Sequence, residues 1–187
     1  RDYTVTETTK DIDGNSVTVS YKVTQDETES EGTGDSAAFA IEQGKTTKVD
    51  FEDDYEKIGT LELTKTIKGE VTEDEYNGAL TFEITTTEGE GEGQKTLYLN
   101  KDGELGETPV QLTLADFEDL GNKQFRLVIN TEEYRDYTVT ETTKDIDGNS
   151  VTVSYKVTQD ETESEGTGDS AAFSIEQGKT TKVDFED

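Results

Sequence analysis

Three ionisable residues fall where strand alternation points a side chain inward. Lys65 is in register with Leu61, Leu63 and Ile67, Glu141 with Tyr137 and Val139, and Asp187 with Val183 and Phe185. Successive side chains of a strand point to opposite faces, so each of the three shares the face of its apolar neighbours. An isolated buried charge is costly, and inward charges must be paired, neutralised or consumed by a reaction. An amine and a carboxyl held together out of water suit one reaction in particular. Burial favours the neutral amine of Lys65 and the neutral acids of Glu141 and Asp187. A protonated Glu141 would then hydrogen-bond the Asp187 carbonyl, favour attack by the amine and move protons as water leaves. Contact between the reacting groups supplies the effective molarity that an exposed pair lacks. The reaction would occur once per molecule, without turnover. Two plainer arrangements compete with it: a buried Lys–Asp/Glu ion cluster with no bond, and a β-bulge that turns one of the three to solvent.

The elements that must position these residues are strands. Period-two alternation recurs at Leu61–Ile67, Leu80–Ile84, Leu97–Leu99, Val110–Leu114, Phe125–Ile129, Tyr137–Glu141, Val151–Val157, Ala171–Ile175 and Val183–Asp187. That is about nine half-buried strands, rich in Thr and Val, with no long helical stripe. Glycine-containing turns are expected at 101–106, 145–149 and 176–179. Leu114, Phe117 and Leu120 have helical spacing for one or two turns at most. The polar stretches 88–93 and 159–168 read as exposed loops. Many short antiparallel strands with one wet face predict an all-β, immunoglobulin-like antiparallel β-sandwich.

Residues 1–53 recur as residues 135–187 with a single change, Ala40 against Ser174, so the chain carries a tandem repeat with a period of 134 residues. The expected division is a C-terminal part of a preceding repeat over 1–53 and a complete domain over 54–187. Glu7 and Asp53 are the equivalents of Glu141 and Asp187, but 1–53 brings no equivalent of Lys65. It should have exposed strand edges and half a core, and order is expected only where strands like those of 54–134 are supplied by another molecule or by upstream chain.

Composition narrows the function classes. Seventeen Lys and Arg against 45 Asp and Glu give a formal net charge of −28. Such a surface repels nucleic acid and anionic membranes. The chain has no Cys and no His, which removes disulfides, thiolate nucleophiles, the usual zinc sites and His-based triads. No cofactor or metal is expected, and no membrane-spanning segment. Acidity with 28% hydrophobic residues also fits disorder, but disordered tracts do not hold a period.

The motifs around the three inward residues resemble a known family. Gly59-Thr-Leu-Glu-Leu-Thr-Lys65-Thr-Ile-Lys-Gly69, Tyr137-Thr-Val-Thr-Glu141-Thr and Val183-Asp-Phe-Glu-Asp187 are similar to the first-strand, middle and last-strand motifs of Cna-B-type and Gram-positive pilin immunoglobulin-like domains. Val49-Asp-Phe-Glu-Asp53-Asp-Tyr55 extends the match by the aromatic residue that follows. The resemblance covers 54–187 in order. It implies an intramolecular isopeptide bond between Lys65 and Asp187 promoted by Glu141, with Asp standing where Asn is the more frequent acceptor. It further implies a secreted repeat on a Gram-positive cell surface, in contact with neighbouring repeats, and, because the family places first and last strands parallel and a parallel pair needs a crossover, no pairing of Asp53 with Lys65 of its own chain. The half-unit 1–53 in turn suggests contact with head-to-tail neighbouring copies.

Other motifs rank lower. Asp145-Ile-Asp147-Gly148-Asn149 opens like a calcium loop but lacks the later ligands, so a tight turn is expected. Glu88, Glu90 and Glu92 alternate with glycine in a flexible acidic loop. An ester crosslink to a last-strand Gln has no acceptor in 181–187. Tyr76 and Tyr98 are candidates for exposed ligand-facing aromatics. Two functions from different classes follow: a load-bearing stalk or filament repeat of an adhesin or pilus-like protein, and an adhesin module that binds a ligand through its acidic loops with the charged cluster only an ion pair. At most single-turnover autocatalysis, not enzyme activity, is expected.

Overall fold

The computed structural model describes residues 1–8, 10–143 and 145–187, the side chain of Thr143 excepted. The chain divides into two compact units, Arg1–Lys57 and Ile58–Asp187. The second contains β6 (Gly59–Thr66), α1 (Glu73–Asn77), β7 (Thr81–Glu88), β8 (Lys95–Leu99), β9 (Leu105–Gly106), β10 (Leu112–Thr113), β11 (Glu118–Gly121), β12 (Gln124–Thr131), β13 (Asp136–Thr143), β14 (Ser154–Gln159), β15 (Thr162–Thr167), β16 (Ser170–Ser174) and β17 (Thr180–Glu186). They form two six-stranded sheets, one ordered β16-β13-β7-β8-β9 with β10 also on β7, the other β11-β12-β6-β17-β14-β15. Pairing is antiparallel except between β6 and β17, which run parallel with Val183 opposite Leu63. This is the immunoglobulin-like β-sandwich that the alternation predicts.

The core lies between the inner faces of the two sheets. Leu61, Leu63, Val183 and Phe185 from one sheet and Phe82, Ile84, Tyr137 and Val139 from the other belong to a single buried cluster. β6 shows how sequence sets orientation: from Gly59 to Thr66 every odd-numbered residue is buried and every even-numbered one is half-exposed. The first and last strands of the unit are therefore neighbours in the middle of one sheet.

Several local readings are corrected or refined. Residues 159–168 are not a loop: β14 and β15 form a hairpin with Gln159 opposite Thr162. Thr-Glu-Ser-Glu-Gly-Thr has no apolar residue to reveal a period, because this edge strand is largely solvent-exposed and its charges blunt further pairing. Gly166 leaves room for the ring of Tyr155, its cross-strand partner. The short helix α1 was not anticipated, although Thr72-x-x-Glu75 is a capping-box pattern; the Glu75 carboxylate accepts the Thr72 N–H at 2.6 Å and the hydroxyl at 2.8 Å. Tyr76, on that helix, is buried rather than exposed, edge-on to Phe125 with ring centroids 5.8 Å apart. The helical spacing at Leu114 yields one 3₁₀ turn, Leu114–Asp116, after which the chain becomes β11.

Gly103 gives a sharp test of the turn before β9. Its φ is +84°, and a Cβ there would stand 2.0 Å from the Asn130 carbonyl oxygen. Gly103→Ala should lower stability by at least the about 1–3 kcal/mol typical of left-handed strain, measured as a shift in denaturant midpoint at unchanged slope.

The first unit contains β1 (Asp2–Thr6), β2 (Asn15–Gln25), β3 (Thr28–Thr33), β4 (Ser36–Ala40) and β5 (Thr47–Lys57), arranged as a β1-β4 pair and a β3-β2-β5 sheet. The expectation that these strands are ordered only with supplied partners is overturned, since they form within the single chain. Their ladders are antiparallel pairings internal to 1–57 and need no strand from 58–134. The expected half core is found: Val19, Val23 and Ala37 are the buried hydrophobic residues described in this unit.

Candidate functional site

β6, β13 and β17 bring Lys65, Glu141 and Asp187 to one point inside the second unit. Lys65 and Glu141 are 0% and 1% exposed, and the Asp187 side chain is 9% exposed. Lys65 Nζ lies 3.0 Å from both Glu141 Oε1 and Oε2, and 2.5 Å from Asp187 Oδ1. The amine thus touches the carboxyl it would attack and a second carboxyl that can take its proton.

Backbone pairing fixes this geometry. Lys65 stands between Phe125 on β12 and Phe185 on β17. Asp187 follows the last residue of β17, where its N–H donates to the Thr66 carbonyl at 3.1 Å and its carbonyl accepts the Lys68 N–H at 2.9 Å. Glu141 arrives from the opposite sheet, paired with Phe82, and its N–H donates to the Asp169 carbonyl at 2.8 Å. The register of β13 shifts between Glu141 and Thr143. The ladder is therefore irregular next to the site, but Glu141 itself keeps the inward orientation.

The surroundings are aromatic. Lys65 Nζ is 6.0 Å from the centroid of Phe82, whose ring packs against Phe185 at 5.8 Å and Phe117 at 5.6 Å. These rings exclude water from the amine, and a low local dielectric strengthens every interaction among the three groups while penalising each unpaired charge. Ile67, Val71, Leu80, Ile146 and Val151 line a cleft that reaches Asp187. Sequence reasoning found the three ionisable positions but not this box, because the strand pairings that assemble Phe82, Phe117, Phe125 and Phe185 are long-range.

In the first unit the Glu7 carboxyl is pushed up from the usual carboxylate range by desolvation and by the neighbouring Asp53 charge. Asp53 also receives the Tyr55 hydroxyl at 3.3 Å. Glu7 Oε2 and Asp53 Oδ1 are buried without a hydrogen-bond partner among the described residues.

The remaining candidates are turns and strand surface. Asn149 N–H donates to the Ile146 carbonyl at 3.0 Å, closing the tight turn with Gly148 at φ +83°. Glu88 ends β7, and residues 91–93 form an exposed 3₁₀ turn. Tyr98 is half-buried on β8. Among the described residues no group of acidic side chains is arranged to hold a metal ion, and no helix is long and apolar enough to cross a membrane.

No protein-family description and no curated protein matches the chain. Two solved structures are similar to it, both crystal structures of single-substitution variants of the major pilin from Streptococcus pyogenes. Each is 12% identical, with TM-scores of 0.37 and 0.38, over 99% of this chain and 97% of the pilin chain.

Proposed function

We propose that residues 58–187 form a structural repeat of a stalk or filament on a bacterial cell surface, locked by a self-formed amide between Lys65 and Asp187. The observation that carries this reading is the 2.5 Å contact between Lys65 Nζ and Asp187 Oδ1, inside an aromatic core and beside Glu141. In the reacting microstate the amine is neutral and attacks the Asp187 carboxyl carbon. The protonated Glu141 carboxyl hydrogen-bonds the Asp187 carbonyl, gives its proton to the departing hydroxyl and takes one from Nζ in its place, so that one C–N bond forms, one C–O bond breaks and one water leaves. The tandem repeat, the absence of Cys and the first-strand, middle and last-strand motifs support the stalk role, and the Gram-positive surface location rests on those motifs.

Intact mass tests the reading. The purified chain should be one water lighter than its translated mass and should yield a branched Lys65–Asp187 peptide on proteolysis. Glu141→Ala should restore the full mass while leaving both reacting residues in place. A full-mass wild-type chain, prepared without denaturant, would rule the bond out.

A further inference from the structure

The two outer faces of the second unit differ in kind. Across the sheet that holds β6 and β17, one cross-strand row reads Glu118, Arg126, Thr64, Asp184, Lys156, Glu165. Its charges alternate in sign, and Arg126 reaches Glu118 at 2.7 Å. Across the other sheet, from β16 to β9, the central row reads Ala172, Thr138, Thr85, Tyr98, Gly106 and holds no charge. Alternation with the buried Phe82, Ile84, Tyr137 and Val139 places this row on the solvent side. The charged residues that the same alternation turns outward on β7, β13 and β16 are Glu83 and Asp136. In a chain of net charge −28 this face is nearly neutral.

The face is suited to leaving water, and it has relief. Thr81 and Thr142 share a hydrogen bond between hydroxyls at 2.8 Å, as do Thr140 and Ser170 at 3.0 Å. The Ser174 hydroxyl donates to Asp136 at 2.6 Å. Polar groups that satisfy one another lose less on desolvation. The repeat keeps the Thr–Ser pair, between Thr6 and Ser36 at 2.9 Å. At one end of the row Ala172 floors a shallow hollow rimmed by Thr85, Thr87, Asp136, Thr138 and Ser174. Toward the other end Tyr98 alternates with the buried Leu97 and Leu99, which turns its ring outward. Gly106 beside it leaves one flank open, since nothing lies within 4 Å of a Cβ built there. Bump and hollow are three strands apart, roughly 14 Å at about 4.8 Å per strand.

We propose that this face pairs with the same face of a second copy, in a two-fold contact whose axis runs along the strands between β13 and β7. Such an axis reverses strand order, laying β16 over the other copy's β8 and β13 over its β7. Each Tyr98 ring then enters the other copy's Ala172 hollow, so that a rigid aromatic anchor is seated twice. The carboxylates follow the same reversal. Glu83, the ladder partner of Thr140, comes opposite the other copy's Thr140. Asp136, two residues before Thr138, comes opposite Thr87, two residues after Thr85. Neither carboxylate meets a like charge. Charge also selects the partner: copies of −28 repel one another through their acidic surfaces, and with screening over about 8 Å at physiological salt a neutral face is where two can touch. Four strands and about five residues give a patch of roughly 20 by 15 Å, at the small end for specific interfaces. A single pairing is therefore weak, and arrays of the repeat multiply it. Side-by-side bundling of stalks rests on the function proposed above; the pairing itself does not.

Sedimentation of the full-length chain tests the pairing, at concentrations up to about 1 mM and at physiological salt or above. The wild type should show a reversible monomer–dimer equilibrium that tightens as salt rises. Ala172→Glu fills the hollow with a charge and should weaken dimers at least about tenfold, as should Tyr98→Lys. Thr158→Glu, the same change of charge on the opposite outer face, should dimerise like wild type. Mixed Ala172→Glu and Tyr98→Lys chains should associate more tightly than either alone, because one glutamate then meets one lysine and the second contact is native. Should Tyr98→Lys fail to fold, the contrast between Ala172→Glu and Thr158→Glu still decides. A wild type that stays monomeric, dimers indifferent to Ala172→Glu, an open-ended polymer, or a mixture no tighter than its components overturns the inference. Intact mass separates it from the proposed bond: a full-mass chain whose dimers Ala172→Glu abolishes supports the pairing and removes the bond, and a monomeric chain one water light does the reverse.

Discussion

Pulled by its two ends, the wild-type chain should show no unfolding step from the residues between Lys65 and Asp187, whereas Lys65→Ala should show a large one. The bond would close a loop of 122 residues, 187 minus 65. At about 3.3–3.6 Å per residue, releasing that loop adds roughly 400 Å of contour. Residues preceding Lys65 extend in both proteins and serve as the internal reference. The topology explains why a single bond would protect so much chain: β6 opens the unit, β17 closes it, and the two are adjacent and parallel. Tension entering at the start of β6 and leaving beyond β17 shears this one pair of strands, and an amide between Lys65 on β6 and Asp187 just after β17 would carry the load past the rest of the sandwich. The variant should still resist initially, because a sheared ladder loads its hydrogen bonds together, and then yield in one step. Equal extension in the two proteins would refute load-bearing by the crosslink.

The fold was legible because so many strands have one apolar face. The periods of β6, β12, β13 and β17 predict which residues are inside, including the charged Lys65 and Glu141, which the core encloses as firmly as the leucines. Strand β15 was illegible because none of its residues is apolar and it gains order from pairing with β14. Helix α1 carries a local capping signal but only one buried side chain, Tyr76, too few to set a period. The site was legible as three exceptions to alternation, while its aromatic walls depend on register across two sheets. Least legible was the state of residues 1–57. Their alternation is the same as that of 135–187, but burial belongs to a pair of surfaces, and a sequence displays only one of them.

Replacing the whole triad by apolar residues, Lys65→Met with Glu141→Leu and Asp187→Ala, should destabilise the chain, and the sign of that change decides between bond and ion cluster. A buried ion cluster balances desolvation against attraction, so substitution by apolar groups of similar volume is often neutral or stabilising by about 1–4 kcal/mol. A covalent crosslink instead restricts the unfolded chain. For a loop of 122 residues the loop-entropy argument gives about 4–5 kcal/mol, which the apolar variant loses. With the bond present, the triple variant should unfold about 10–20 °C below wild type. Glu141→Ala should fall lower still, because it leaves Lys65 and Asp187 buried and also removes contacts from the core. The measurement is thermal or denaturant unfolding of the three proteins side by side. A triple variant as stable as wild type or more so would identify Lys65, Glu141 and Asp187 as an ion cluster, and with it remove the covalent strut from the proposed stalk.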